Sequence, residues 1–275
     1  MKNNNRLYWW SERFIQKKQQ ENYGDLVGAY LFEKISGHAP TFYRKKDQAW
    51  WKPHRAYHAT IGSIINHLDG KAIVWGSGII SREDHIPNAT FLAVRGPLSR
   101  KRIQEHHIDC PAVYGDPALL LPRYYTSQIT PDCELGVIPH INDLALVKEM
   151  LEGQKAIKII DLNTNEVEAT TREIRSCKYI LSSSLHGLIV PHSYGIPAVQ
   201  VRFSDRIYGD GVKYLDYYQS VALQSYDPLL ISNASEITVD AVKSHEQSLP
   251  DAAVIANLCD GLMSVCPFKS EFYES

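Results

Sequence analysis

The chain has 275 residues, a formal charge of −2 and 44% apolar residues, enough for one large or two ordinary domains around a sizeable core. That near-neutral balance argues against a nucleic acid or an acidic surface as partner, and no apolar run reaches the roughly 18–20 residues needed to span a bilayer. Met1–Arg6 lacks the apolar core of a signal peptide, the five cysteines (Cys110, Cys133, Cys177, Cys259, Cys266) show no CxxC pairing, and no HExxH spacing occurs among the eleven histidines. A cytoplasmic protein with reduced thiols and no metal is the expectation.

Leu7-Tyr8-Trp9-Trp10 predicts a first short strand. After a turn over Gln20–Asp25, Leu26, Val27, Tyr30, Leu31 and Ile35 recur at helical spacing, and Ser36-Gly37 ends the helix. Asn22 and Asp25 stand at its start, where Asp25 is most simply an N-cap. Arg44-Lys45-Lys46-Asp47 reads as a solvated basic turn. Tyr57–Ser63 and Ala72–Gly78 read as buried strands ending in small-residue turns that let a backbone approach a ligand closely. Neither turn matches a Walker loop or a dinucleotide fingerprint.

Thr90–Val94 is the next strand, with Arg95 and Gly96 at its carboxyl end and Pro97 opening a helix. Arg95 could hold an anion at that junction, or simply join an ion pair. Asp116 in Gly115-Asp116-Pro117 reads as the structural cap of a Leu119–Leu121 turn. A polar interval, 126–134, follows as a linker. A second series then begins: strand 135–140, a helix near 145–151, strand 156–160 and a helix through Ile174. Val254–Met263 predicts a terminal helix packing back on the first half. Strands alternating with helices in both halves imply two Rossmann-like parallel-sheet domains facing each other across a cleft, over residues 1–125 and 135–245, with 246–275 as the returning segment.

The most informative stretch is Tyr179–Pro197. An apolar run reads as a buried strand, Ser182-Ser183-Ser184 can cap a helix starting near Leu185, and Gly195-Ile196-Pro197 stops it before the strand Ala198–Val201. A helix start at the carboxyl end of a strand, with hydroxyls and His186 on its first turn, suits an anion and a proton transfer. The plainer account makes the serines caps, His186 a satisfied polar residue and His192 a packing residue.

Taken in order, several short motifs resemble the polysaccharide pyruvyl transferases. They are Asn22-Tyr23-Gly24-Asp25, Trp75-Gly76-Ser77-Gly78, Val94-Arg95-Gly96-Pro97, Gly115-Asp116-Pro117, Ile138-Pro139-His140, Ser182–Gly187, Gly195-Ile196-Pro197, and Lys213 before Asp216-Tyr217-Tyr218. Bacterial members acting on exopolysaccharide or lipopolysaccharide units are the nearest in pattern. The resemblance implies a GT-B-like arrangement and transfer of the pyruvyl group of phosphoenolpyruvate to two sugar hydroxyls, giving a pyruvate ketal and phosphate without a cofactor. It implies His186 and His140 as catalytic, and Arg95, Ser184, Leu185, Gly187, Arg202 and Lys213 as donor-binding. Asn22, Asp25, Gly76 and Ser77 are implied at the acceptor, a glycan or lipid-linked oligosaccharide. A lipid-linked acceptor would bring the enzyme to the inner face of the membrane as a peripheral protein. Five Trp and sixteen Tyr are compatible with stacking on sugars. The rivals are a glycosyltransferase using a nucleotide sugar and a catalytically silent glycan-binding subunit.

Overall fold

Short β-branched and aromatic runs form the strands of the first half in the computed structural model of the chain, which describes residues 4–49, 51 and 54–269. The ends of the expected N-terminal and returning segments, 1–3 and 270–275, lie outside the described residues. In chain order the first half contains β1 (Arg6–Tyr8), α1 (Glu12–Gln16), β2 (Glu21–Asn22), α2 (Tyr23–Ser36), β3 (Thr41–Phe42), β4 (Tyr57–Ala59), β5 (Ala72–Trp75), β6 (Thr90–Ala93), α3 (Pro97–Glu105) and α4 (Leu121–Tyr124). A 3-10 turn, Pro117–Leu120, precedes α4.

The second half holds β7 (Cys133–Ile138), α5 (Leu144–Met150), β8 (Ile157–Ile159), β9 (Asn163–Thr164), α6 (Val167–Arg175), β10 (Cys177–Ser182) and α7 (His186–Ser193). It continues through β11 (Ala198–Arg202), α8 (Val212–Ser220), β12 (Leu229–Leu230), α9 (Val239–Lys243) and α10 (Ala252–Ser264).

Each half builds a five-stranded sheet, ordered β3-β1-β4-β5-β6 and β12-β11-β10-β7-β8, and every pairing within them is parallel. The expected α/β architecture of two Rossmann-like sheets is therefore present. In both sheets the chain reverses direction beside one strand. From β1 it goes to β3 on one side and later to β4 on the other; from β7 it goes to β8 and later to β10. Such switch points open a crevice at the carboxyl ends of the two diverging strands.

The halves are joined by more than the segment 126–132. Strands β2 and β9 pair antiparallel, Glu21 with Thr164 and Asn22 with Asn163. Tyr23 Oη lies 2.7 Å from Thr171 Oγ1, and Tyr30 donates to Glu168 at 2.8 Å. One apolar core includes Trp75 and Leu119 from the first half, Leu188 and Tyr217 from the second, and Leu262 from α10. Trp75 Nε1 donates to the Leu262 carbonyl at 2.8 Å, and Phe268 packs on Phe32 and Trp75, so the terminal segment returns to the first half.

A buried carboxylate locks α8 to the first half. Asp216 accepts from Arg95 Nε at 3.1 Å and Ser99 Oγ at 2.6 Å, and from the α3 amides of Leu98 and Ser99 at 2.9 and 3.0 Å. Gly96, the α3 N-cap, has no side chain to do this. A Cβ there would lie 2.1 Å from the Asp216 carbonyl oxygen, so α8 can approach only a glycine. Both charges are fully buried. Removing one partner of such a pair strands the other charge, so Asp216→Ala is expected to lower stability by about 3–5 kcal/mol. The exposed Lys148–Asp161 pair is the control, with Lys148→Ala changing stability by less than about 1 kcal/mol. Urea unfolding midpoints measure both, and comparable losses would refute the lock.

Candidate active site

The two switch points face one another, and the cavity between them has a volume of about 430 Å³. The first half contributes Trp10, beyond β1, and Gly62-Ser63, beyond β4, together with Asn22 and Asp25 at the start of α2. From the second half come His140, beyond β7, and Ser184, Leu185 and His186, beyond β10, with Lys213 from α8. The cavity therefore sits where open parallel sheets bind ligands, supplied from both sides.

His186 opens α7 and is held between the halves. A Cβ on Gly24 would lie 2.0 Å from its Nδ1, so the α2 start can press against the imidazole only as glycine. On the other side His186 Nε2 stands 3.6 Å from Asp116 Oδ2. Both atoms are buried without a hydrogen-bond partner among the described residues, within ion-pair reach of each other but beyond a hydrogen bond. Asp116 Oδ1 meanwhile accepts from Ala118 N at 3.0 Å. Asp116 is thus the expected cap and also the carboxylate facing His186, a role sequence reasoning missed.

The serines do not cap α7, contrary to expectation. Ser182 Oγ accepts from Ser184 N at 2.9 Å and lies 2.8 Å from the Ile138 carbonyl oxygen, tying the β10 end to β7. Ser183 Oγ accepts from His140 N at 2.8 Å and donates to buried Asp143 at 3.2 Å. The first-turn amides of α7 consequently have no side-chain cap. A Cβ on Gly187 would meet Ser182 Oγ at 2.2 Å, so this glycine serves the packing of α7 on β10 rather than the cavity.

Four groups lining the cavity have altered acidities, one of them His67, which burial lowers. Burial pushes the Asp25 carboxyl up to about 7, with the His186 charge opposing. Burial brings the Lys213 amine down to about 8, helped by the Arg95 charge and resisted by Asp25. Lys213 is only 8% exposed, and among the described residues it has no ion-pair partner. Burial lowers His140 to about 4; it is neutral at pH 7, and its Nδ1 accepts from Asn142 N at 3.2 Å, which selects the Nε2–H tautomer. Asn22, not Asp25, caps α2, its Oδ1 accepting from Gly24 N at 3.0 Å. Among the described residues no group of three or more His, Cys, Asp or Glu could hold a metal ion.

Several expected site residues lie elsewhere. Arg95 is fully buried; besides Asp216 it donates to Ser63 Oγ at 2.6 Å and the Ile79 carbonyl at 2.7 Å, so it stands behind the cavity wall and offers no free cation. Gly76 and Ser77 follow β5, one strand beyond the switch point, and Ser77 spends its hydroxyl on the Thr60 carbonyl at 2.8 Å. Gly62-Ser63 occupies the position expected of them. Arg202 is exposed, paired with Asp205, and lines a neighbouring cavity that excludes His186. His192 is buried, its Nδ1 2.8 Å from Tyr217 Oη, as expected of a packing residue.

The sign of the Asp25 effect on stability follows from its acidity. The folded chain holds this proton far more tightly than the ordinary carboxyl value of 3.8 allows, so stability falls as pH rises from there through about 7. Asp25→Asn is expected to remove that slope and to exceed the wild type in stability at about pH 8 by up to about 4 kcal/mol. Thermal unfolding at about pH 5 and about pH 8 reads the difference, and parallel slopes in the two proteins would show Asp25 ordinarily ionised.

Two comparisons bear on this geometry. An uncharacterized protein, L143, of Acanthamoeba polyphaga mimivirus is 27% identical over 252 residues, 88% of this chain and 86% of its own length. Residues 24–202 match the profile of the family described as polysaccharide pyruvyl transferase, a span that contains Asp25, Asp116, His140 and His186. With two parallel sheets meeting at that cavity and the family's profile covering most of the chain, this protein belongs to the polysaccharide pyruvyl transferase family.

Proposed function

We propose that the protein transfers the pyruvyl group of phosphoenolpyruvate to two hydroxyls of one sugar in a polysaccharide or its precursor, forming a cyclic ketal. The observation that carries this reading is the convergence of an unpaired buried cation, Lys213, an uncapped helix start at α7, and two proton-transfer groups, His186 and Asp25, in one cavity. A donor carrying both phosphate and carboxylate needs two anion anchors, and Lys213 with the α7 amides supplies them.

The reaction needs one proton delivered to the donor's methylene carbon, making it a methyl group, while a sugar hydroxyl adds to the adjacent carbon. The second hydroxyl then attacks that carbon and the C–O bond to phosphate breaks. Of the two protons released by the hydroxyls, one replaces that given to carbon and one leaves with phosphate. His186, backed by Asp116, acts as proton donor in this scheme, and Asp25, poised near neutrality, takes up a hydroxyl proton. Neutral His140 donates a hydrogen bond through Nε2 without adding charge. Two Rossmann-like sheets facing across the cavity are compatible with a GT-B-like frame, which a nucleotide-sugar glycosyltransferase would share. The donor decides between the two.

Phosphoenolpyruvate is expected to raise the unfolding temperature of the wild type, and UDP, GDP and CMP sugars to leave it unchanged. Lys213→Met should abolish the shift, and in the wild type the shift should shrink above about pH 8 as the amine loses its proton. His186→Ala should keep the shift yet lose roughly 10²–10⁴ in phosphate release with a competent glycan. A shift with a nucleotide sugar alone would falsify the donor assignment, and near wild-type turnover in His186→Ala would remove that residue from the chemistry.

A further inference from the structure

The basic turn Arg44–Asp47 is not an isolated patch of the surface. Its Arg44, Lys45 and Lys46 line a second cavity of about 550 Å³, together with Tyr8, Trp10, Tyr57 and His67. Trp10 and His67 line the active-site cavity as well. Their rings lie 4.9 Å apart at 36°, and this pair borders both spaces. Trp10 is held by its Nε1, which donates to Glu12 Oε1 at 3.3 Å. The two cavities thus adjoin at an aromatic pair, and together they define a trough with His186 at one end and the basic turn at the other.

The charges at the far end are unevenly committed. Arg44 donates to both carboxylate oxygens of Asp47, at 2.8 Å each, which neutralises it. Lys45 and Lys46 are exposed and, among the described residues, have no ion-pair partner, while Asp69 is the one carboxylate in the cavity wall. The Lys46 charge also reaches His67, where it adds to burial in lowering the imidazole's acidity range. Two ammonium groups with no ion-pair partner among the described residues, beyond an aromatic pair, suit a chain of sugars carrying negative charge: ring faces pack against the C–H surface of a sugar, and ammonium groups bind carboxylate or phosphate oxygens. With a reacting sugar and the small donor around His186, this adjoining space is open to the sugars that continue the glycan.

We infer that this trough is an extended acceptor subsite, which holds the sugars adjoining the reacting one and selects glycans bearing an anionic group at Lys45 and Lys46. The inference rests on the pyruvyl-transfer reading for the direction of the glycan, and it adds the substrate's charge class. The anion is a carboxylate of an acidic sugar or a phosphate linked to the chain, and the test separates the two sources.

The experiment titrates wild-type protein and the double variant Lys45→Ala/Lys46→Ala with three probes: tetraglucuronic acid, cellotetraose, and cellotetraose carrying a 1-diphosphate. Both lysines are exposed surface residues, so the variant should fold, and its thermal shift with phosphoenolpyruvate should equal that of the wild type. At least one acidic probe is expected to bind the wild type about tenfold more tightly than the variant, with the difference vanishing at high salt. Cellotetraose should not distinguish the two proteins. Preference for tetraglucuronic acid assigns the site to acidic sugars, and preference for the diphosphate assigns it to phosphate-linked chains. Absence of lysine-dependent binding with both acidic probes overturns the inference. Lysine-dependent binding in a protein that fails to release phosphate from phosphoenolpyruvate would keep the trough and discard the pyruvyl-transfer reading; turnover with lysine-independent affinity would do the reverse.

Discussion

The structure depends first on how Asp216 is satisfied. A buried carboxylate must find donors for its oxygens, and this one finds Arg95, the Ser99 hydroxyl and two amides at the start of α3. Three of the four partners belong to the α3 N-terminus, so Asp216 performs, from the other half of the chain, the capping that Gly96 cannot. The close approach of α8 to Gly96 and of Arg95 to Gly78 leaves no room for a side chain at either glycine. Lys213 stands three residues before Asp216, on the same face of α8, and the lock that seats Asp216 thereby turns Lys213 into the cleft.

Around that lock, sheet order decides what the site contains. A parallel sheet presents the loops after its strands along one edge, but only those at a reversal of winding border an open crevice. Here the reversals fall at β1 and β4 in one sheet and at β7 and β10 in the other. Gly62-Ser63, Trp10, His140 and His186 meet for that reason. Gly76-Ser77 follow, and Arg202 ends, a strand one position farther out, and they miss the meeting place. The shared core beneath, with Trp75, Leu188, Tyr217 and Leu262 in one cluster, joins the halves into one apolar body and gives the cleft firm walls.

The electrostatic character of the cleft follows from burial more than from pairing. Asp25 and Lys213 move toward neutrality in opposite directions because each is deprived of water, and each partly restrains the other's shift. His186 gains a facing carboxylate in Asp116, while His140 stays neutral. An acid, a base and a cation of graded strength in one small space are the ordinary requirements for moving a proton beside a phosphate.

The sequence by itself determined the elements and the residues with chemical capacity. The alternation of apolar runs and helical periodicities specified two parallel sheets, because local propensity and hydrophobic period need no knowledge of neighbours. Pro97, Gly37 and the Gly195-Ile196-Pro197 stop marked helix boundaries for equally local reasons. The histidine at the start of α7 was legible as well, from a strand, a polar turn and a helix in succession. Tertiary structure alone decided which of these residues meet. Arg95 looks the same in sequence whether it faces a ligand or Asp216, 121 residues away, and Asp116 looks like a cap whether or not its second oxygen faces His186. Likewise Ser77 and Ser63 are equivalent turn residues until the order of β4 and β5 beside β1 is known. Partnership between distant residues is a property of strand order and of the packing of the two halves, and neither is written in any local stretch of the chain.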